Sequence, residues 1–501
     1  MGTPRPPGSR SLAGNVLWNL LGQGTPLLVA VLAIPPLIRA LGTERFGLLS
    51  LAWVLVGYFS IFDLGIGRAL TQLIAGSIKN DGDQAMGRLV WTSLALLSML
   101  GIAIAAVLAA GSPWALGHFL KTPAGLYSEA VSGSIFVAIA VPFGVAATGL
   151  RGVLEARQAF FASNLIRLPL GALTYLAPLA VVPLTNHIDA ICASLLVTRV
   201  LACGAYLFAC YCVAPDLMRV PGLTRTGVRR LLSFSGWMAV TNVAAPFMTY
   251  LDRFLIGSLV SIAAVTYYAT PFDVVTRLFV IPAAVTGVMF PAFATLYAIG
   301  LHDARQLFLR GVKYLALVIF PITLVFVTLA RPGLQLWLGT QFADHSASVL
   351  QWLAVGVLFN SIGQVAFVLV QGAGRPRFTG LLNLIELPIY VIVLVALVRL
   401  RGIDGAAMAW TIRTGLDALV LLVVSSRLLN ISIARSPFVI LAPVAIGAGL
   451  LVFGALPMAL VLKVAFLAIV ATALVPIVWL RLLSAAERSR LAEALPHAKS
   501  G

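Results

Sequence analysis

Eleven ionisable residues lie inside long apolar stretches of this sequence, where a charge is costly and by default faces a protein interior or a water-filled cavity. Six of them are arginines, namely Arg68, Arg167, Arg199, Arg253, Arg277 and Arg413. Five are acids, namely Asp63, Asp252, Asp273, Glu386 and Asp417. Arg39, near the end of the first apolar stretch, adds a seventh arginine. A guanidinium group stays charged and binds phosphate oxygens through a planar fork, so these arginines predict a site for an anionic, phosphate-bearing substrate.

The spacing of these residues leaves two interpretations open. Asp273 and Arg277 stand four residues apart with the acid first, which is the favourable order for a helical ion pair. Arg413 and Asp417 are also four residues apart but in the reverse order. Each such pair is either structural or part of a cavity. Asp252 and Arg253 are adjacent, so their side chains point about 100° apart on a helix and need separate partners.

The acids suggest a second role, in coupling or gating. Asp63, Asp252 and Glu386 are candidate carriers of a coupling proton, and sodium is the alternative ion. Zinc, nucleophile-plus-base and phosphate-loop signatures are absent from the sequence, so we expect no metal, no cofactor and no catalytic residue. The sequence therefore predicts a protein that is not an enzyme.

The elements that position these residues are transmembrane helices. The chain has 501 residues, of which 60% are hydrophobic and 10% charged, far from the roughly 25% charge of soluble domains. Runs of about 20 apolar residues, each long enough to cross a bilayer, follow one another closely. The all-α fold that we predict has fourteen spans, at residues 14–40, 47–76, 89–110, 127–150, 162–184, 189–213, 231–257, 263–294, 312–330, 347–371, 378–399, 404–428, 437–456 and 459–480.

The net charge of +17 follows the topology of such a protein and does not indicate a nucleic-acid partner. With the N-terminus in the cytoplasm, 21 Lys and Arg residues fall on cytoplasmic segments and 7 near the other face. The excess of positive charge on cytoplasmic segments therefore predicts that both termini are cytoplasmic.

An internal repeat divides the helices into two lobes. NLIRLP at residues 164–169 recurs as NLIELP at residues 383–388, and each copy follows a basic turn, RQAFFAS or RPRFTGLL. The copies lie six spans apart, so both run in the same direction and are related by a pseudo-twofold axis along the membrane normal. Two six-helix lobes around such an axis favour a transporter. The predicted order is a tail at 1–13, a lobe at 14–213, a linker at 214–230, a lobe at 231–430, two further helices at 437–480 and a tail at 481–501.

The two copies differ in charge at one position, Arg167 in the first and Glu386 in the second. Three interpretations remain open: an ion pair that latches the lobes in one closed state, separate roles as substrate ligand and proton carrier, or structural polar residues near helix ends.

Two longer stretches carry a family resemblance. IPPLIRALGTERFGLLSLAWVLVGYFSIFDLGIG, from Ile34, and YLDRFLIGSLVSIAAVTYYATPFDVVTRLFVIPAAVTGVMFPAFATL, from Tyr250, resemble the O-antigen and capsule type of polysaccharide flippase. That family belongs to the multidrug/oligosaccharidyl-lipid/polysaccharide exporter superfamily. One departure is Thr266, where such sequences often have glycine.

The resemblance implies export of a polyprenyl-pyrophosphate-linked oligosaccharide from the inner to the outer leaflet of a bacterial inner membrane, for cell-surface polysaccharide synthesis. Membrane lipids and polysaccharide polymerase machinery are the further partners that it implies. A drug/cation antiporter has the same architecture, but we would then expect unpaired acids to dominate the cavity. A membrane glycan polymerase or ligase would need a sizeable outer catalytic loop, and the predicted outer loops are short.

Overall fold

Short turns and two kinked glycines divide the described part of this apolar chain into helices, most of which coincide with predicted spans. The structure, a computed structural model, describes residues 9–57, 83–225, 248–431 and 437–482, with a few isolated positions between them. Every regular element within those ranges is helical, which confirms the predicted all-α fold. Asp63 and Arg68 lie outside the described residues.

The first half of the described chain contains six long helices. They are α1 Ser9–Gly57, α2 Asp83–Trp114, α3 Tyr127–Ala156, α4 Phe160–Val181, α5 Ile188–Val213 and α6 Ile262–Thr276. Residues 248–259, just before α6, are also helical. A short 3₁₀ turn, Arg277–Phe279, follows α6 directly.

The second half contains seven more. They are α7 Val280–Ile299, α8 Leu301–Thr328, α9 Ala330–Leu338, α10 Thr340–Gly372, α11 Pro376–Leu428, α12 Pro437–Ala455 and α13 Leu460–Ile477.

Ten helical segments of the described residues are long and apolar enough to cross a membrane, and a shorter apolar segment covers residues 444–455. Two of the ten each cover two predicted spans, residues 28–57 in part and residues 376–428 completely. Gly42 interrupts α1 with φ of 72°, and Gly402 interrupts α11 with φ of 58°. Such left-handed backbone is accessible to glycine without steric cost, so each glycine allows a sharp change of direction between consecutive spans. The described residues thus confirm a polytopic helical membrane protein. The predicted seventh span lies mostly outside them.

Chain contacts define two compact units, residues 1–284 with 374–413, and residues 285–373 with 414–501. In the first unit α1 and α6 approach closely at Gly47, where an added Cβ would lie 2.2 Å from the carbonyl oxygen of Ile262. The Thr266 hydroxyl donates to the carbonyl of Thr43 at 2.6 Å, so this departure from the family pattern joins the same two helices. The division into two six-helix lobes stays a prediction.

An ion pair further fixes α1 in the first unit. Glu129, in the first turn of α3, accepts two hydrogen bonds from Arg45, at 2.9 and 3.1 Å. The same carboxylate accepts from the backbone N–H of Ile188 at the start of α5. One side chain therefore holds three helices together, and the two-bond geometry is the strong form of such a pair.

In the second unit, polar side chains hold α12 and α13 against the end of α8. Buried Lys463 of α13 donates to the carbonyl of Thr328 at 2.8 Å. Gln351 of α10 donates to the carbonyls of Val327 and Ala455. Carbonyls at a helix C-terminus lack partners within the helix, so these donors satisfy them where water is excluded.

Candidate functional site

Five of the predicted site residues lie in the first compact unit and interact through ion pairs, hydrogen bonds or charge. They are Asp252, Arg253, Asp273, Arg277 and Arg413, and we call them the Arg/Asp cluster. Helical residues 248–259, α6 with its 3₁₀ turn, and the second part of α11 supply them. Three arginines and two aspartates give the cluster a formal charge of +1 (3 − 2).

Asp252 and Arg253 have separate partners, as their adjacent positions on a helix predict. Asp252 is fully buried, and its carboxylate accepts a hydrogen bond from the Tyr268 hydroxyl. It also accepts from the backbone N–H of Arg253 at 2.7 Å. Arg253 instead reaches Asp273.

Arg253 lies in an aromatic and acidic environment. Its side chain is 2% exposed, and one guanidinium nitrogen lies 2.5 Å from the Asp273 carboxylate. The guanidinium also lies 5.3 Å from the ring centres of both Tyr250 and Phe272. Ring faces attract cations, and the ion pair offsets part of the cost of burying the charge.

Arg277 is bonded to a neutral group. Its guanidinium donates to the Tyr175 hydroxyl of α4 at 3.0 Å. In the described part of the chain Asp273 is paired with Arg253, so the ion pair that the spacing of Asp273 and Arg277 favours is not the one formed. Among the described residues the charge of Arg277 therefore has a hydrogen-bond partner but no bonded counter-charge.

Arg413 brings α11 into the cluster. Its guanidinium lies 5.2 Å from the ring centre of Tyr390, and its charge acts on Asp252. Trp410, one turn earlier, packs edge-on against Phe272 at 5.5 Å between ring centres. The Nε atoms of Arg253 and Arg413 and the Tyr390 hydroxyl are buried without a hydrogen-bond partner among the described residues. Buried polar groups are normally satisfied, so we expect these donors to have a partner outside the described residues, in the chain or in a ligand.

The other predicted site residues do not join the cluster through any ion pair or hydrogen bond that we describe. Arg39 and Arg167 are exposed, and Arg199 and Glu386 are half-buried. Asp417 is half-buried in the second compact unit. Their assignment to substrate binding, coupling or gating stays a prediction.

Sequence reasoning missed the aromatic residues of the site. Tyr175, Tyr250, Tyr268 and Tyr390 each bond or stack with a charged member of the cluster. In an apolar span a lone tyrosine resembles an ordinary core side chain. A usable signal was that three of them lie within two helical turns, in sequence, of a predicted intramembrane charge.

The comparison with known families decides the classification of the chain. A family model described as "Polysaccharide biosynthesis protein" matches residues 37–347, a range that contains every member of the Arg/Asp cluster except Arg413. The chain belongs to this family. The resemblance inferred from the sequence is thereby confirmed.

One relative by sequence and two solved structures extend the comparison of this polysaccharide biosynthesis protein. A Shigella flexneri protein named "Putative O-antigen transporter" is 29% identical over 430 residues, covering 84% of this chain and 99% of that protein. Lipid II flippase MurJ in an inward closed conformation matches with a TM-score of 0.69 and 12% identity, over 93% of this chain and 100% of that chain. An inward-facing MATE family multidrug resistance transporter of the MOP superfamily matches with a TM-score of 0.67 and 13% identity, over 82% and 98%. At such identities the two structures show that the fold is shared.

Proposed function

We propose that this polysaccharide biosynthesis protein is a flippase that moves a polyprenyl-pyrophosphate-linked oligosaccharide from the inner to the outer leaflet by alternating access. The family description, the name of the Shigella flexneri relative and the name of the MurJ neighbour all support this class of cargo. A transport role also accounts for a chain whose described residues are almost entirely apolar helix.

The observation that carries the proposal is the arrangement of the Arg/Asp cluster. A pyrophosphate cannot cross hydrocarbon unaided, because its charge would lose hydration without compensation. Arg277 is half-buried, its bonded partner among the described residues is the neutral hydroxyl of Tyr175, and the cluster as a whole is positive. A guanidinium group binds phosphate through two parallel N–H···O hydrogen bonds. Arg253 and Arg277, with Arg68, are therefore the proposed clamp on the pyrophosphate.

Energy coupling is assigned to the acids as a further part of this proposal. Asp252 is buried and hydrogen-bonded to Tyr268, a setting in which gain or loss of a proton would change the local charge balance. A proton or a sodium ion is the proposed coupling species. Substrate or ion can drive the switch only as far as it prefers one conformation.

The topology that we propose places both termini in the cytoplasm and the chain in a bacterial inner membrane. The 21 to 7 distribution of basic residues supports this orientation. Membrane lipids and polysaccharide polymerase machinery are the proposed partners, and we infer a transport role without catalysis.

Depletion of the protein from its native cell tests the proposal directly. Glycan on the outer leaflet of intact membranes is labelled with a membrane-impermeant reagent, and the lipids are then extracted, so that unlabelled lipid-linked glycan reports the inner leaflet. We expect a polyprenyl-pyrophosphate-linked oligosaccharide to accumulate in the inner leaflet. Accumulation in the outer leaflet would indicate a polymerase or ligase, and increased drug sensitivity with unchanged lipid-linked glycan would indicate an antiporter.

A further inference from the structure

Arg277 has one bonded partner in the structure, Tyr175, and a second candidate partner by sequence spacing, Asp273. Asp273 precedes it by four residues with the acid first, the spacing that favours an ion pair along an α-helix. The α-helix ends at Thr276, and Arg277 begins a 3₁₀ turn in which the rotation per residue is larger. At this junction Arg277 donates to Tyr175 of α4, and Asp273 pairs with Arg253.

Tyr175 is held rigidly in place. Its side chain is buried, and its ring packs edge-on against Trp53 of α1 at 5.0 Å between ring centres. The Trp53 indole N–H donates to the carbonyl of Thr174, and the indole packs against Phe46 at 5.6 Å. The hydroxyl that accepts from Arg277 is therefore fixed by two helices.

The Tyr175 hydroxyl leaves the positive charge of Arg277 uncancelled. A neutral acceptor orients the guanidinium without cancelling its charge, and it uses one of the five N–H donors. Without the hydroxyl, the acid that stands at helical spacing from Arg277 is Asp273.

We propose that Tyr175 is a positioning residue that keeps Arg277 away from Asp273, so that the guanidinium remains available to a pyrophosphate headgroup. The proposal rests on the proposed function, since it names how the anion clamp is kept open. It makes Tyr175, a residue without formal charge, a determinant of anion affinity.

The first test measures binding of a sugar-free polyprenyl pyrophosphate to the purified protein. Tyr175→Phe keeps the ring and its contacts with Trp53 but removes the hydroxyl. We expect affinity to fall roughly tenfold, the order associated with a hydrogen bond to a charged group. In an Asp273→Asn background the competing acid is gone, so Tyr175→Phe should then lower the affinity for the probe by less than about threefold. An equal loss in both backgrounds would mean that the Tyr175 hydroxyl does not act by keeping Arg277 from Asp273, and it would overturn the proposal.

A second pair of variants does not depend on Asp273. Tyr175→Gln supplies a neutral acceptor, whereas Tyr175→Glu, of nearly the same size, supplies an acid that would capture Arg277. Tyr175→Gln should bind the probe more tightly than Tyr175→Glu by roughly tenfold or more, with a gap that narrows as salt is added. Equal affinity of the two variants would contradict the proposed role.

Tyr127→Phe is the control, since it also removes a hydrogen-bonded tyrosine hydroxyl, one that donates to the carbonyl of Pro113 and lies outside the cluster. It should bind the probe as the wild type does. A wild-type protein that does not bind polyprenyl pyrophosphate would refute the proposed function itself. If the wild type binds polyprenyl pyrophosphate and the Tyr175 variants bind it with the same affinity, only the role of Tyr175 would be refuted.

Discussion

Replacement of Arg253 by glutamine should destabilise the protein far more than the same replacement of Arg277. Arg253 is 2% exposed and pairs with Asp273, whose side chain is 28% exposed. Removing one partner of a buried pair costs about 3–5 kcal/mol, and because Asp273 can be partly rehydrated we take the lower end, about 3 kcal/mol. The lost contacts with Tyr250 and Phe272 add about 1 kcal/mol.

Among the described contacts Arg277→Gln removes one hydrogen bond from a charged group to a neutral hydroxyl, a loss of about 1.5 kcal/mol. The double variant Arg253→Gln with Asp273→Asn removes both charges of the buried pair, so it should regain part of the loss. Thermal unfolding of the purified proteins in one detergent measures the effect. We expect the melting temperature to fall in the order wild type, Arg277→Gln, double variant, Arg253→Gln.

Equal melting temperatures for Arg253→Gln and Arg277→Gln would refute this reasoning, because the buried pair would then contribute nothing to stability. Transport is a separate readout. Both single variants should lose it, Arg277→Gln while remaining folded, and lysine at either position should restore only part because it lacks the planar fork.

Three other predictions concern the lobes, the topology and the packing of α1. If Arg167 and Glu386 form a latch, Arg167→Gln and Glu386→Gln should each impair glycan export, and the exchanged variant Arg167→Glu with Glu386→Arg should recover it. An exchanged variant that stays inactive would indicate separate roles, and single variants with normal export would indicate structural residues. A reporter fused near residue 343 should be extracytoplasmic and one at the C-terminus cytoplasmic, and a cytoplasmic signal near residue 343 would break the topology. Gly47→Ala should lower stability by about 1–3 kcal/mol because its Cβ would meet a backbone carbonyl of α6 at 2.2 Å, whereas Gly111→Ala, with open space around it, should melt as the wild type does.

The helices were predictable because the bilayer sets their length and the chain supplies apolar runs to match. The predicted span at 127–150 lies within α3, Tyr127–Ala156, and that at 189–213 lies within α5, Ile188–Val213. The gap predicted between residues 40 and 47 contains Gly42, whose positive φ interrupts α1. The local sequence was sufficient to predict these helices and the break at Gly42.

The partners of the charged residues were only partly predictable. Helix geometry alone required Asp252 and Arg253 to point in different directions, and the structure agrees. Spacing favoured a pair of Asp273 with Arg277, but Arg253, twenty residues earlier in the chain, takes the carboxylate instead. The identity of that partner, and of Tyr175 for Arg277, depends on how helices pack, which local spacing does not encode.

The most direct test of the central claim measures lipid-linked glycan flipping in vesicles that contain only the purified protein. A polyprenyl-pyrophosphate-linked oligosaccharide is placed in one leaflet, and its appearance in the other is followed with a membrane-impermeant glycan oxidant. Wild-type protein should transfer the glycan at a rate well above that of protein-free vesicles, and Arg277→Gln, reconstituted in equal amount, should not. Transfer by Arg277→Gln at the wild-type rate would contradict the arginine clamp, and no transfer by the wild type under any ion gradient would contradict the flippase itself.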